Sequence, residues 1–218
     1  MEYIAHRINT VEELKKTPKE CGVELDLRDF GDRLILQHDP FKDGEDFEEY
    51  LKHYNHGTMI LNIKSERIEC KVLDLIQKYN IKDYFFLDSS FPMICSLSEG
   101  GEKNIALRFS EFEGIDTILN MKDKVDWIWV DCFSKLPITN KNYNLLKQYG
   151  FKFCLVSPEL QGQDEKLVEY KKYLKDENII FNAICTKVFN IKRWESPLCQ
   201  DTCPLSNLSI QTKAGVGK

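Results

Sequence analysis

Glu24 and Asp26 stand two residues apart in Val23-Glu-Leu-Asp-Leu-Arg28, a run in which apolar and charged side chains alternate. Alternation with a period of two marks a strand, and it puts both carboxylates on one face. On a solvated face the pair is an ordinary polar exterior. Turned inward, the two carboxylates are unfavourable without a cation, and their oxygens suit a hard divalent ion such as Mg²⁺ or Ca²⁺. Other strand-like runs also end in reactive side chains. His6 and Arg7 follow Tyr3-Ile-Ala, His38-Asp39 follows Leu34-Ile-Leu-Gln, and Asn62 and Lys64 close the run from Thr58. Further on come Asp88 with Ser90, then Arg108, Asp131, Ser157 with Glu159, and Thr186 with Lys187. Singly, each has a plain structural use: a histidine is often a hydrogen-bonded support, a lysine is solvated, an aspartate caps the next turn. Together they supply proton-transfer groups, oxygen ligands for a cation and cations for an anion, the equipment of phosphoryl chemistry.

The elements that must position them alternate along the chain. Thr10-Val-Glu-Glu13 has the capping-box pattern and opens a helix through Lys16, stopped before Pro18. A charged helix is expected over Asp46–Tyr54, and one capped by Ser65 over Glu66–Tyr79. Shorter helices are expected over Met93–Leu97 and Gly114–Met121, then one from Asn140 to Gln148 ended by Gly150, and one over Asp164–Lys175. Between them, strands begin near Tyr3, Val23, Met59, Phe85, Ile105, Val125, Phe153 and Ile180. That rhythm argues for parallel strands with helical crossovers, and about eight of them suggest a compact (β/α)₈ barrel, whose site forms at the strands' carboxyl ends. The Leu34 run does not fit that count and reads as an excursion after the second strand. An open doubly wound sheet is the alternative, but no glycine-rich turn follows the first strand. Gly215-Val-Gly-Lys218 has no hydroxyl residue or helix after it and is not read as a phosphate loop.

A chain of 218 residues is long enough for one substantial core; the barrel is expected over residues 1–195 and a loosely ordered tail over 196–218. A net charge of −5 argues against a nucleic-acid backbone as partner, since that needs a cationic face. No apolar run reaches membrane-spanning length and no charged-then-apolar leader opens the sequence, so a cytoplasmic location is expected. Six cysteines, Cys21, Cys70, Cys95, Cys132, Cys154 and Cys185, are scattered singly and read as reduced, small apolar residues; Cys199 and Cys203 form one weak CxxxC.

The quartet Ile4-Ala-His6-Arg7, Val23-Glu24-Leu-Asp26-Leu, Leu36-Gln-His38-Asp39 and Asn62-Ile-Lys64 resembles the glycerophosphodiester phosphodiesterases of the phospholipase C-like superfamily. The resemblance covers the first third of the chain; the later strands share only the rhythm. It implies a (β/α)₈ barrel in which Glu24, Asp26 and Asn62 hold one Mg²⁺ or Ca²⁺. His6 and His38 would be the acid/base pair, and Arg7 and Lys64 would bind phosphate. The substrate would be a small glycerophosphodiester-like or head-group phosphodiester. Ser90, Arg108, Trp129, Asp131, Ser157 and Glu159 are the expected pocket lining, with Trp127 on the face of Trp129. Three positions depart from the family pattern: Ile8 stands where glycine is usual, Asn62 where a third acid is usual, and Lys187 where an aspartate follows threonine. They leave room for a second expectation, a barrel that binds a phosphorylated ligand or protein partner without turnover.

Overall fold

The computed structural model describes residues 1–197. The CxxxC pair and almost all of the expected tail lie outside the described residues. Strand β1 (Glu2–Ala5) leads to helix α1 (Val11–Lys16), then β2 (Gly22–Phe30), β3 (Arg33–Leu36), β4 (Glu45–Asp46) and α2 (Phe47–Leu51). Strict alternation follows: β5 (Met59–Ile63), α3 (Glu69–Lys78), β6 (Tyr84–Leu87), α4 (Phe91–Glu99), β7 (Ala106–Phe109), α5 (Ile115–Asn120). The described residues end through β8 (Trp127–Val130), α6 (Asn140–Gln148), β9 (Lys152–Val156), α7 (Leu167–Asp176), β10 (Ala183–Thr186) and α8 (Ile191–Glu195).

The result is an α/β fold with a curled sheet. Parallel pairing runs β6–β5–β2–β1–β10–β9–β8–β7, and the two ends of that path touch through a single bridge, Phe86 with Ile105. The first strand lies beside the last, which neither common doubly wound order allows. As expected, β3 is an excursion: it returns antiparallel on β2, turning at Gly31, whose φ of +62° suits glycine, and carries β4 on its other edge.

Side-chain alternation divides the interior in two. Val23, Leu25 and Leu27 of β2, with Met59, Leu61 and Ile63 of β5, pack outward against the helices. The alternate positions face inside the curl, where Ile4, Ile60, Phe85, Trp127, Cys154, Ala183 and Cys185 form a second, smaller cluster. Phe85 and Trp127 stack there with ring centroids 4.4 Å apart. Large rings on β6 and β8 facing small side chains on β9 and β10 fill this inner space. Gly22 is required where β2 enters, because a Cβ would meet the Thr58 carbonyl oxygen at 2.4 Å.

Several local expectations need correction. Helix α3 begins at Glu69 rather than Glu66, because Arg67 sits at φ 65° and cannot continue a right-handed turn; Ser65 instead accepts from the Asp29 N–H. Thr139, not Asn140, caps α6. The last strand starts at Ala183, three residues after the exposed Ile180. Helix α2 is shorter than its charged run, α4 is longer than expected, and α8 was not foreseen. The cysteines Cys21, Cys70, Cys95, Cys132, Cys154 and Cys185 are free, four of them buried. Among the described residues no helix is long and apolar enough to cross a membrane.

Candidate active site

Glu24 and Asp26 point inside the curl, 1% and 0% exposed, and Asn62 joins them from the neighbouring strand at 7%. Register makes the cluster: Asp26 is the pairing partner of Asn62, and Glu24 of Ile60. Asn62 Nδ2 donates to Glu24 Oε1 at 2.7 Å, and the Arg7 N–H donates to Glu24 Oε2 at 2.8 Å. Arg7 can do so because its backbone is left-handed, φ 56°, a conformation that costs a residue with a Cβ and is held by this contact. Burial first, and the charge of Asp26 second, push the Glu24 carboxyl up to about 7, against the pull of Asn62, the Arg7 N–H and Lys64.

Asp26 is gripped by a residue that the sequence reading passed over. Asn9 donates from Nδ2 to Asp26 Oδ2 at 2.9 Å and accepts the Asp26 N–H on Oδ1 at 2.8 Å. Its own backbone is tied into the capping box, where Glu13 Oε2 accepts from Asn9 N and Thr10 N. A polar residue wedged between His6-Arg7 and a helix cap was the available signal. Even so, Asp26 Oδ1 and Asn62 Oδ1 are buried with no hydrogen-bond partner among the described residues. The nearest cations to Asp26 are Lys64, 3.6 Å from Oδ1, and Arg7, 3.8 Å from Oδ2, at ion-pair rather than hydrogen-bond distance.

His6 lies over this cluster, Nε2 3.8 Å from Glu24 Oε2. Burial, then Lys187, Arg7, Lys64 and His38, hold its imidazole down to about 3, so the ring is neutral at ordinary pH. Lys187 Nζ stands 3.0 Å from Nδ1, and an ammonium can only donate, which leaves the ring proton on Nε2. His38 is further out: its Nδ1 pairs with Asp39 Oδ1 at 3.0 Å, its side chain is 40% exposed, and it is outside the lining of the cleft.

The cleft itself, about 280 Å³, is lined by His6, Arg7, Glu24 and Asn62 on one side and by Arg108, Trp129, Asp131 and Glu159 on the other. On that far side Arg108 bonds both Asp88 and Asp131, and Gln161 Nε2 donates to Asp131 Oδ1 at 2.8 Å. Ser90 and Ser157 do not line it. Ser90 occupies the cap position of α4, and the fully buried Ser157 bonds Glu159 and accepts from Trp194 Nε1 at 2.8 Å. Trp127 lies deeper, in the stack with Phe85. Ile8 faces away into the outer core, its carbonyl taken by Tyr50 Oη.

Two solved structures match this architecture over most of the chain. The glycerophosphodiester phosphodiesterase of Agrobacterium tumefaciens superposes with a TM-score of 0.63 at 14% identity, covering 90% of this chain and 100% of that one. A glycerophosphoryl diester phosphodiesterase of Parabacteroides distasonis gives 0.62 at 12% identity, over 88% and 85%. The chain shares their fold. No family model matches the sequence, and no curated protein does.

Among the described residues no group of three or more His, Cys, Asp or Glu is arranged to hold a metal ion. The donor set here is different in kind, two carboxylates and an amide. Its two unpartnered oxygens, Asp26 Oδ1 and Asn62 Oδ1, fit a hard cation.

Proposed function

We propose that the chain is a metal-dependent phosphodiesterase acting on a small or head-group phosphodiester, built on a compact (β/α)₈ barrel over residues 1–195. The observation that carries this reading is the inward Glu24–Asp26–Asn62 cluster with two buried oxygens left unpartnered beside His6. Buried polar atoms without partners are costly, and a bound ion removes the cost.

Glu24, Asp26 and Asn62 would hold one Mg²⁺ or Ca²⁺. When bound, the ion withdraws charge from a non-bridging phosphate oxygen. Arg7 and Lys64 neutralise the remaining oxygens. His6 and His38 exchange the protons: one takes a proton from the attacking hydroxyl and the other gives one to the leaving alkoxide. Asp39 on Nδ1 orients the His38 ring and leaves Nε2 for the substrate. For His6 to use Nδ1, Lys187 must first move off it.

That last contact favours a second reading, a barrel that binds a phosphorylated ligand without turning it over, with Lys187 serving as an anion ligand. Hydrolysis of glycerophosphocholine and bis-p-nitrophenyl phosphate with Mg²⁺, Ca²⁺, Mn²⁺ or EDTA separates the two. The first reading expects metal-dependent release, lost in Glu24→Gln and His38→Ala. Activity that persists in EDTA, or in both variants, overturns it. No turnover with saturable binding of glycerol phosphate supports the second.

A further inference from the structure

A second cavity adjoins the cleft and has no part in the chemistry above. It measures about 440 Å³ and lies in the wedge between α4 and α5, over the carboxyl ends of β6 and β7. Its origin is topological. These two strands are bridged at Phe86 and Ile105, so beyond that bridge they are free to diverge, and among the described residues no side chain fills the wedge. The volume falls in the range of small-molecule sites. Ile94, Leu107 and Ile118 make its wall, and Phe91 and Phe112 stand at its edge, 48% and 78% exposed.

Three features connect this cavity to the phosphate cleft. Leu87, Asp88 and Arg108 line both, so the two spaces share a wall. The exposed apolar surface continues from Phe112 to Phe133, ring centroids 6.0 Å apart, and Phe133 lies under the Arg108 guanidinium at 5.7 Å. Ser89, which also lines the cavity, has a buried hydroxyl oxygen with no hydrogen-bond partner among the described residues. An apolar trough rimmed by exposed rings, with one unpartnered hydroxyl beside a polar cleft, matches a ligand that is apolar at one end, carries an ester or hydroxyl in the middle and is anionic at the other.

We propose that the substrate is a lipid phosphodiester: its phosphate lies in the polar cleft, its apolar arm in the cavity between α4 and α5, and Ser89 hydrogen-bonds the oxygen that joins them. The proposal rests on the phosphodiesterase reading and names the substrate class of that site. Each methylene moved from water into the cavity strengthens binding up to about fourfold, until the space is full.

The test measures turnover of glycerophosphocholine against 1-acyl-glycerophosphocholines of increasing chain length, all below their micelle concentrations, on the full chain with its metal. KM is expected to fall at least tenfold from the chain-free to the long-chain substrate. Thr117→Trp, at an exposed position on α5 that lines the cavity, fills the space without disturbing the core. It should abolish that gain and leave glycerophosphocholine turnover unchanged. Equal KM values along the series, or equal loss on both substrates in Thr117→Trp, overturn the proposal. Should no diester be hydrolysed, the phosphodiesterase reading fails separately, and dodecylphosphocholine binding decides the cavity. Saturable binding lost in Thr117→Trp supports the apolar subsite, and absence of binding in the parent chain overturns it.

Discussion

The two walls of the cleft solve the same electrostatic problem in opposite ways. On the β7–β9 side every charge is answered within the protein: Arg108 takes Asp88 and Asp131, and Gln161 takes the remaining Asp131 oxygen. On the β2–β5 side the carboxylates are buried as deeply as Asp131 but less well answered, with Asp26 Oδ1 and Asn62 Oδ1 left over and Glu24 pushed toward its protonated form. A wall that satisfies itself needs no ligand to be stable, whereas one that does not gains most from a bound partner. Physical incompleteness, more than residue identity, separates a binding wall from a supporting one.

The largest expected effect tests the incomplete wall directly. Glu24→Gln should lower metal-dependent turnover at least about 100-fold while leaving metal-free stability intact or raised, since a buried charge is removed; a matching loss of stability would mean the carboxylate is structural. On the complete wall the pattern should reverse. Arg108→Met is expected to cost roughly 3 kcal/mol in urea unfolding, because Asp131 is left buried without its partner, and Asp131→Asn in the same chain should recover part of it. Comparable costs for the Glu24 and Arg108 changes would erase the distinction.

Added Mg²⁺ or Ca²⁺ at a hundred times its Kd should stabilise the chain by about 2.7 kcal/mol, a rise in Tm of roughly 5–10 °C. The rise should shrink at pH 5, where the ion must displace the Glu24 proton. In the metal-free chain Glu24, raised from 4.5 to about 7, contributes stability that is present below 4.5 and lost as pH climbs through 7. His6, lowered from 6.5 to about 3, acts with the opposite sign: its contribution is present above 6.5 and lost as pH falls through 3. Calorimetry from pH 3 to 8 with and without the ion checks both, and a metal effect independent of pH would remove Glu24 from the ligand set.

Two smaller changes sharpen the picture. Asn9→Ala should weaken metal affinity by roughly tenfold, since it removes the bonds that orient Asp26, which a titration would read. Lys187→Met should raise the His6 titration from about 3, leaving burial as the main remaining cause of its depression, as followed by imidazole NMR.

Much of this was legible in the sequence because it depends on local spacing. The period of two in Val23–Leu27 was enough to place Glu24 and Asp26 on one face, and the alternation of elements pointed to a (β/α)₈ barrel, of which the structure bears out the α/β class and a curled, largely parallel sheet. Which face turned inward was not local information: it depends on β2 lying between β1 and β5, a pairing across distant residues. For the same reason Asn9 was invisible as a carboxylate clamp, and Lys187, noticed as an oddity, had no partner until β10 was laid beside β1. Ser157 looked like a pocket residue because strand-end position does not say whether a hydroxyl faces the cleft or, as here, a buried tryptophan.

The single bridge between Phe86 and Ile105 also has a kinetic side. Backbone amides protected by long ladders exchange with solvent only when much of the sheet opens, while a strand edge held at one point can fray on its own. The amides of Ala106–Phe109 not paired to β8 should therefore be among the first in the sheet to take up deuterium, and those of Val23–Leu27 that join the unbroken ladder to β5 among the last. The curl would then breathe at one seam beside the second cavity, one strand beyond Asn62 on β5 and two beyond Glu24 and Asp26 on β2, so that the carboxylates stay on laddered strands while the edge next to them opens and closes.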